Sequence, residues 1–99
     1  MKLDRNGYAP SIMDTEPGID YLTKSPCLDT VRHEIYFGVG NRKISKANGF
    51  WVNLSPISHK IVHSDSHYDN RLKIDCYQTF LKTHSRDDFK KLIGRYYDE

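Results

Sequence analysis

The dipeptide Ser55-Pro56 constrains this chain more than any other pair of residues. Serine is a favoured helix N-cap, and proline is favoured at the first helical position, where its missing N–H would be unpaired anyway. In front of the pair stands Phe50-Trp51-Val52-Asn53-Leu54, a short apolar run that predicts a strand. Behind it, a helix is predicted from Ile57 to about Val62. A strand therefore hands over directly to a helix in the middle of the chain. Further upstream, Leu28 to Phe37 reads Leu-Asp-Thr-Val-Arg-His-Glu-Ile-Tyr-Phe. Its β-branched and aromatic residues predict an earlier strand, broken by Gly38 and Gly40. Residues 41–49 read as a polar connector with room for one helical turn ending at Gly49. Strand, connector, strand and helix make a ββα unit over residues 28–63.

The flanks read differently. Gly7, Pro10, Pro17, Gly18 and Pro26 interrupt every would-be element in residues 1–26, which predicts an irregular arm laid over the core. Tyr8, Ile12 and Tyr21 are its candidate anchors. A polar stretch from Ser64 to Asn70 follows the short helix, and residues 70–97 predict two further helices. Leu72, Cys76 and Phe80 form a stripe in the first, with Ile74, Tyr77 and Leu81 beside it. In the second, Ser85-Arg86-Asp87-Asp88 resembles a capping box, and Phe89, Leu92, Ile93 and Tyr96 follow the spacing of one helix face. The fold class is α+β, in one domain spanning residues 1–99.

Composition sets limits. With 37% hydrophobic residues the chain has material for a modest core and little surplus. No apolar run is long enough to span a membrane, and the stretch after Met1-Lys2-Leu3-Asp4-Arg5 lacks the apolar segment of a secretory signal. Cys27 and Cys76 are expected as free thiols in a reducing cytoplasm. The net charge of +2 is too small to establish a nucleic-acid partner, so any basic surface must come from local clustering.

The chemistry-bearing residues gather in the middle third. His59 and His63 lie at i and i+4, on one face of the short helix, where two neutral imidazoles can grip one divalent cation. The preceding strand interrupts its apolar character with Arg32-His33-Glu34. Three consecutive polar residues there either face solvent or serve a site. His67 falls beyond the expected helix end and reads as a surface residue, and His84 reads as loop. A cation at a strand–helix site suits phosphodiester hydrolysis: the metal offsets charge on the phosphate, while a strand residue takes a proton from the attacking water. Histidine suits that role near neutral pH, and glutamate is a weaker base unless its site raises its pKa.

These residues resemble a group of small HNH (ββα-metal, His-Me finger) nuclease-like proteins found mostly in bacteriophage genomes. The resemblance runs through Gly7-Tyr8-Ala9-Pro10-Ser11-Ile12, His33-Glu34-Ile35-Tyr36-Phe37-Gly38, Asn41-Arg42-Lys43-Ile44-Ser45, Gly49-Phe50-Trp51-Val52-Asn53-Leu54, His59 and Gly94-Arg95-Tyr96-Tyr97. It implies an HNH core with an irregular N-terminal arm and two C-terminal helices. It also implies a metal-dependent DNA endonuclease or nickase of phage DNA processing, acting in the host cytoplasm. By match, His33 and Glu34 supply the general base and a metal contact, and His59 a ligand to Mg²⁺, Mn²⁺ or Zn²⁺. His63, one turn on, is the expected extra ligand. Either Glu34 is the base and His33 a ligand, or His33 is the base. Asn41, Arg42 and Lys43 either orient the connector and hold a phosphate, or form a solvated basic turn.

The chain departs from that family at one place. Family members carry a Cys-x-x-Cys in the arm and a second ligand pair as the helix begins, which together hold a structural zinc. The corresponding positions here read Asp20-Tyr21-Leu22-Thr23 and Ser55-Pro56-Ile57-Ser58, which offer neither thiolate nor imidazole. No structural zinc is expected, and hydrogen bonds among these polar residues are expected to tie the arm to the helix instead. This departure raises a second possibility: a non-catalytic binding protein on the same fold, such as an inhibitor or partner of a host or phage protein.

Overall fold

The fold is built outward from one hairpin, seen in a computed structural model that describes residues 3–97. The elements run β1 (Val31–Glu34), α1 (Asn41–Asn48), β2 (Trp51–Leu54), α2 (Pro56–Ser64), α3 (Ser66–Phe80) and α4 (Arg86–Ile93). β1 and β2 form a two-stranded antiparallel sheet in which His33 lies opposite Val52 and Glu34 opposite Trp51. The pleat sends His33, Val52 and Leu54 toward the helices, and Arg32, Glu34, Trp51 and Asn53 toward the arm. All four residues of β2 are buried.

The first strand is shorter than its sequence suggests. Leu28 is fully exposed and Asp29 lies in a turn, so pairing begins only at Val31. At the other end the Ile35 N–H still donates to the Phe50 carbonyl at 2.9 Å. Beyond it, Ser45 replaces the next rung. Its hydroxyl accepts from the Tyr36 N–H at 3.1 Å and donates to the Tyr36 carbonyl at 2.6 Å.

Ser45 belongs to a full helix, α1, where the sequence suggests a polar connector. α1 packs between the hairpin and the arm, and the buried Ser45 is its inward polar contact. Gly49 ends it at φ 75°, and a Cβ there would stand 2.2 Å from the Pro10 carbonyl oxygen. Only glycine lets the arm cross so closely.

α2 starts as expected: Ser55 Oγ accepts from the Ser58 N–H at 3.1 Å, and Pro56 occupies the first turn. It runs two residues past Val62, to Ser64. Asp65 then caps the following helix by accepting from the His67 N–H at 2.9 Å. The polar stretch after Ser64 is therefore mostly the first turn of α3, and His67 is exposed on it rather than in a loop. α4 carries the full capping box between Ser85 and Asp88 and ends at Gly94, φ 95°. Tyr96 thus lies outside the helix, where its hydroxyl donates to Asp87 at 2.9 Å.

The helix-facing core is aromatic. Tyr36, Phe50, Phe80 and Phe89 meet largely edge to face with centroids 5.3–5.9 Å apart, over Val52, Leu54, Val62, Leu72 and Cys76. Such pairs add about 0.5–1.5 kcal/mol each beyond burial. The Tyr36 hydroxyl reaches the Lys73 carbonyl at 2.6 Å, which satisfies its polar end.

The arm is irregular, as its sequence indicates, with one isolated bridge between Ile19 and Pro26. It binds the groups of β2 that face away from β1. Ser11 Oγ donates to the Trp51 carbonyl at 2.5 Å. Thr15 Oγ1 accepts from the Asn53 N–H at 2.9 Å, and the Asn53 carbonyl accepts from the Tyr21 N–H at 2.9 Å. Ile12 and Tyr21 pack on the core, and Tyr8 reaches the hairpin. Cys27 and Cys76 are both free thiols. No helix among the described residues is long and apolar enough to cross a membrane.

The four positions matched to zinc ligands meet around one buried carboxylate. Asp20 Oδ2 accepts from Ser58 Oγ at 2.5 Å and from Thr23 Oγ1 and Ser55 Oγ at 3.1 Å each. Asp20 Oδ1 accepts from the Leu22 N–H at 3.2 Å. Burial opposes ionisation of Asp20, but donation by Ser58, Leu22, Ser55 and Thr23 outweighs it and holds its pKa below the usual carboxylate value. Arm and α2 are thus joined by a hydrogen-bonded knot.

Candidate metal centre

β1 and α2 bring His33, His59 and His63 together. Strand alternation aims His33 at α2, and the i, i+4 spacing aligns the other two on the facing side of that helix. The ring centroids of His33 lie 5.2 Å from those of both His59 and His63, which are 4.7 Å from each other. One nitrogen from each ring falls within 4.8 Å of the others. His59 Nε2 and His63 Nε2 are 3.1 Å apart, with room for a single imidazole proton between them.

Burial grades across the cluster: His33 is 2% exposed, His59 is half-buried and His63 is exposed. His33 Nε2 is buried and has no hydrogen-bond partner among the described residues, a state it shares only with Asp69 Oδ1. Leaving such an atom unpaired costs about 1–3 kcal/mol. Burial, reinforced by the neighbouring His59, His63, Lys73 and Arg42, pushes the His33 pKa down to about 3. His59 is also lowered, first by burial and then by His63, against an opposing pull from Glu34. At neutral pH His33 is an uncharged lone-pair donor, the form in which histidine binds metals.

The three nitrogens suit a divalent transition ion. The edge of a tetrahedron with Zn–N bonds of about 2.05 Å measures about 3.3 Å. The His59–His63 separation is already close to that value, and side-chain adjustment on the order of 1 Å closes the set. The cluster can therefore hold a metal ion.

Glu34 stands at the rim, fixed by two neighbours. Tyr8 Oη donates to Glu34 Oε2 at 2.9 Å, and Arg42 Nε lies 3.5 Å from Glu34 Oε1. Burial first, and then the contact with Glu34, raises the Tyr8 pKa to about 12. Arg32 turns to the arm side, over Tyr8 and Trp51, and pairs with Asp4 at 2.8 Å. Arg32, Glu34, Phe37 and Arg42 line, with the three histidines, a cleft of about 170 Å³.

Of the connector residues, Arg42 reaches this cleft, while Asn41 and Lys43 do not line it. His84 lies apart, stacked on Phe80 at 4.2 Å. The sequence reading missed Tyr8 as the partner of Glu34. The Glu34 carboxylate alone carries no signal of which tyrosine the arm delivers to it.

Comparison with protein-family models, with curated proteins and with solved structures found no match for this chain.

Proposed function

We propose that the protein is a metal-dependent phosphodiester hydrolase of HNH type that cuts or nicks DNA. The observation that carries this reading is His33 Nε2: buried, without a hydrogen-bond partner among the described residues, and facing two imidazoles on the helix that follows the hairpin. An antiparallel hairpin followed by a helix packed against it is the arrangement expected of a ββα-metal core.

His33, His59 and His63 would hold the ion. Three neutral imidazoles favour Zn²⁺ and similar transition ions, whereas Mg²⁺ prefers oxygen ligands. When bound, the ion supplies Lewis-acid neutralisation of the phosphate and lowers the pKa of coordinated water. The remaining chemistry falls to the chain's own groups. His33, whose buried Nε2 faces the other two imidazoles, acts as a ligand. Glu34, oriented by Tyr8 and Arg42, accepts the proton of the attacking water. Arg42 offers its guanidinium to a phosphate oxygen at the cleft rim.

Purified protein incubated with supercoiled plasmid and Zn²⁺, Ni²⁺, Co²⁺, Mn²⁺ or Mg²⁺ tests the reading. The wild type is expected to nick, and His59→Ala and Glu34→Gln to lose at least 100-fold in rate. Absence of nicking with every ion, or equal nicking by His59→Ala, refutes it.

One observation favours the alternative of a protein-binding module. α2 exposes Ile57 (74%) and Ile61 (38%) one turn apart, an apolar pair that a partner could cover. Absence of DNA retention at low salt would select that reading.

A further inference from the structure

A second cleft runs beside α1, and Arg42 lines both it and the histidine cleft. Its volume is about 500 Å³. That lies within the range of small-ligand clefts, about 300–1,000 Å³, whereas the histidine cleft at about 170 Å³ lies below it. The smaller cleft has room for a phosphate but not for the sugar and base attached to it. A nucleic acid at the histidines must place its next nucleoside elsewhere, and the α1 cleft adjoins.

The lining fits that occupant. Leu3, Gly7 and Ala47 contribute apolar or backbone surface, and Arg42, Lys43 and Lys46 contribute three cations. Among the described residues no carboxylate lines the cleft, although the chain holds 13 acidic residues against 15 basic ones. Asp4 is paired with Arg32, and Glu34 accepts from Tyr8 while lying 3.5 Å from Arg42 at the boundary with the histidine cleft, which leaves Lys43 and Lys46 without an acidic partner in the cleft lining. Lys46 Nζ is steadied 4.8 Å above the Tyr8 ring, and Lys43 is exposed. A merely solvated helix face would present its lysines without an apolar hollow beside them.

We propose that the α1 cleft is a nucleotide subsite. It seats the nucleoside next to the phosphate held at the histidines, with Arg42, Lys43 and Lys46 on the flanking phosphates. This inference rests on the hydrolase reading and specifies how that site takes its substrate.

Two variants separate shape from charge. Ala47→Trp fills the cleft and leaves the charge unchanged, and Lys43→Ala/Lys46→Ala removes charge and leaves the cleft open. The probe is a fluorescently labelled single-stranded oligodeoxynucleotide, followed by anisotropy in the presence of chelator so that nothing is cut. Each variant is expected to bind at least 10-fold more weakly than wild type. The double variant is expected to lower the slope of log affinity against log salt by about 1.4, from about 0.7 per lost phosphate contact. Melting temperature and Zn²⁺ affinity, measured alongside, are expected to match wild type. Unchanged binding by Ala47→Trp overturns the subsite, even when the lysine variant binds weakly. In that case, continued plasmid nicking leaves the hydrolase reading standing. A wild type that neither binds the oligonucleotide at low salt nor nicks plasmid overturns both.

Discussion

Asp20→Asn is the sharpest probe of what joins the arm to the helical side of the molecule. The side chain keeps its shape and loses its charge. In the wild type, Oδ2 accepts from three hydroxyls and Oδ1 from one backbone N–H. A hydrogen bond to a charged group contributes about 1.5–3 kcal/mol, against about 0.5–1.5 kcal/mol for a neutral one. An asparagine oxygen can serve the three hydroxyls, but its NH₂ then opposes the Leu22 N–H. Removing the charge and adding that opposed pair gives an expected loss of about 2–4 kcal/mol. Against a total stability of about 5–15 kcal/mol, that loss is large. It corresponds to a melting temperature lower by about 8–30 °C for a domain of this size. Urea unfolding at neutral pH, followed by circular dichroism, measures it.

The pH dependence provides a second check on Asp20. Its folded pKa lies below the ordinary 3.8, so its stabilisation is fully present above that pH and is lost as pH falls through the depressed value. The gap between wild type and Asp20→Asn is expected to narrow only below about pH 4. A gap under about 0.5 kcal/mol at pH 7 would refute the reasoning.

Three further outcomes are expected. His33 has an ordinary pKa of 6.5 and a folded value of about 3, so the unfolded chain binds the extra proton between them. Metal-free protein should therefore be most stable above pH 6.5 and lose stability progressively toward pH 3, with a ceiling of about 5 kcal/mol for this group; His33→Phe, compared by urea titration at pH 7 and pH 4.5, should flatten that decline. Gly49→Ala should cost about 2–4 kcal/mol by urea unfolding, because the new Cβ meets the Pro10 carbonyl in a left-handed backbone conformation. Saturating Zn²⁺ should raise the melting temperature of the wild type at pH 7.5 and leave that of a His59→Ala/His63→Ala variant unchanged, as read by calorimetry.

The strand-to-helix handover was legible because Ser55-Pro56 is a local signal, and local chemistry makes the cap. The pairing of His59 with His63 was legible for the same reason. His33 was assigned to them only through the family resemblance, because the run Arg32-His33-Glu34 by itself left open whether it faces solvent or a site. The helix α1 was harder to see. Its apolar residues are only Ile44 and Ala47, too few for a stripe, and its buried residue is Ser45, a polar group that bonds Tyr36. Its N-cap, Gly40, makes no side-chain hydrogen bond, so the usual start signal is missing. The start of α3 did carry a signal: Asp65 is a good N-cap residue, masked by the polar run around it. Hydrogen bonding among Asp20, Thr23, Ser55 and Ser58 was expected from their positions, but convergence on one carboxylate depends on how the arm crosses the hairpin. The α1 cleft was illegible for the same reason, because Leu3 and Gly7 reach Lys46 only through tertiary packing.

The seam between the arm and β2 has a consequence for how copies of the protein meet. A two-stranded sheet ordinarily leaves both outer edges open, and an open edge invites a strand from another molecule. Here Ser11 takes the outward carbonyl of Trp51, and Thr15 and Tyr21 take both outward groups of Asn53, so most of the outer edge of the most apolar strand is already engaged. The irregularity of the arm is what makes it a good guard. Bonding through side chains and isolated backbone groups, it covers most of the edge without becoming a regular third strand with a new edge of its own.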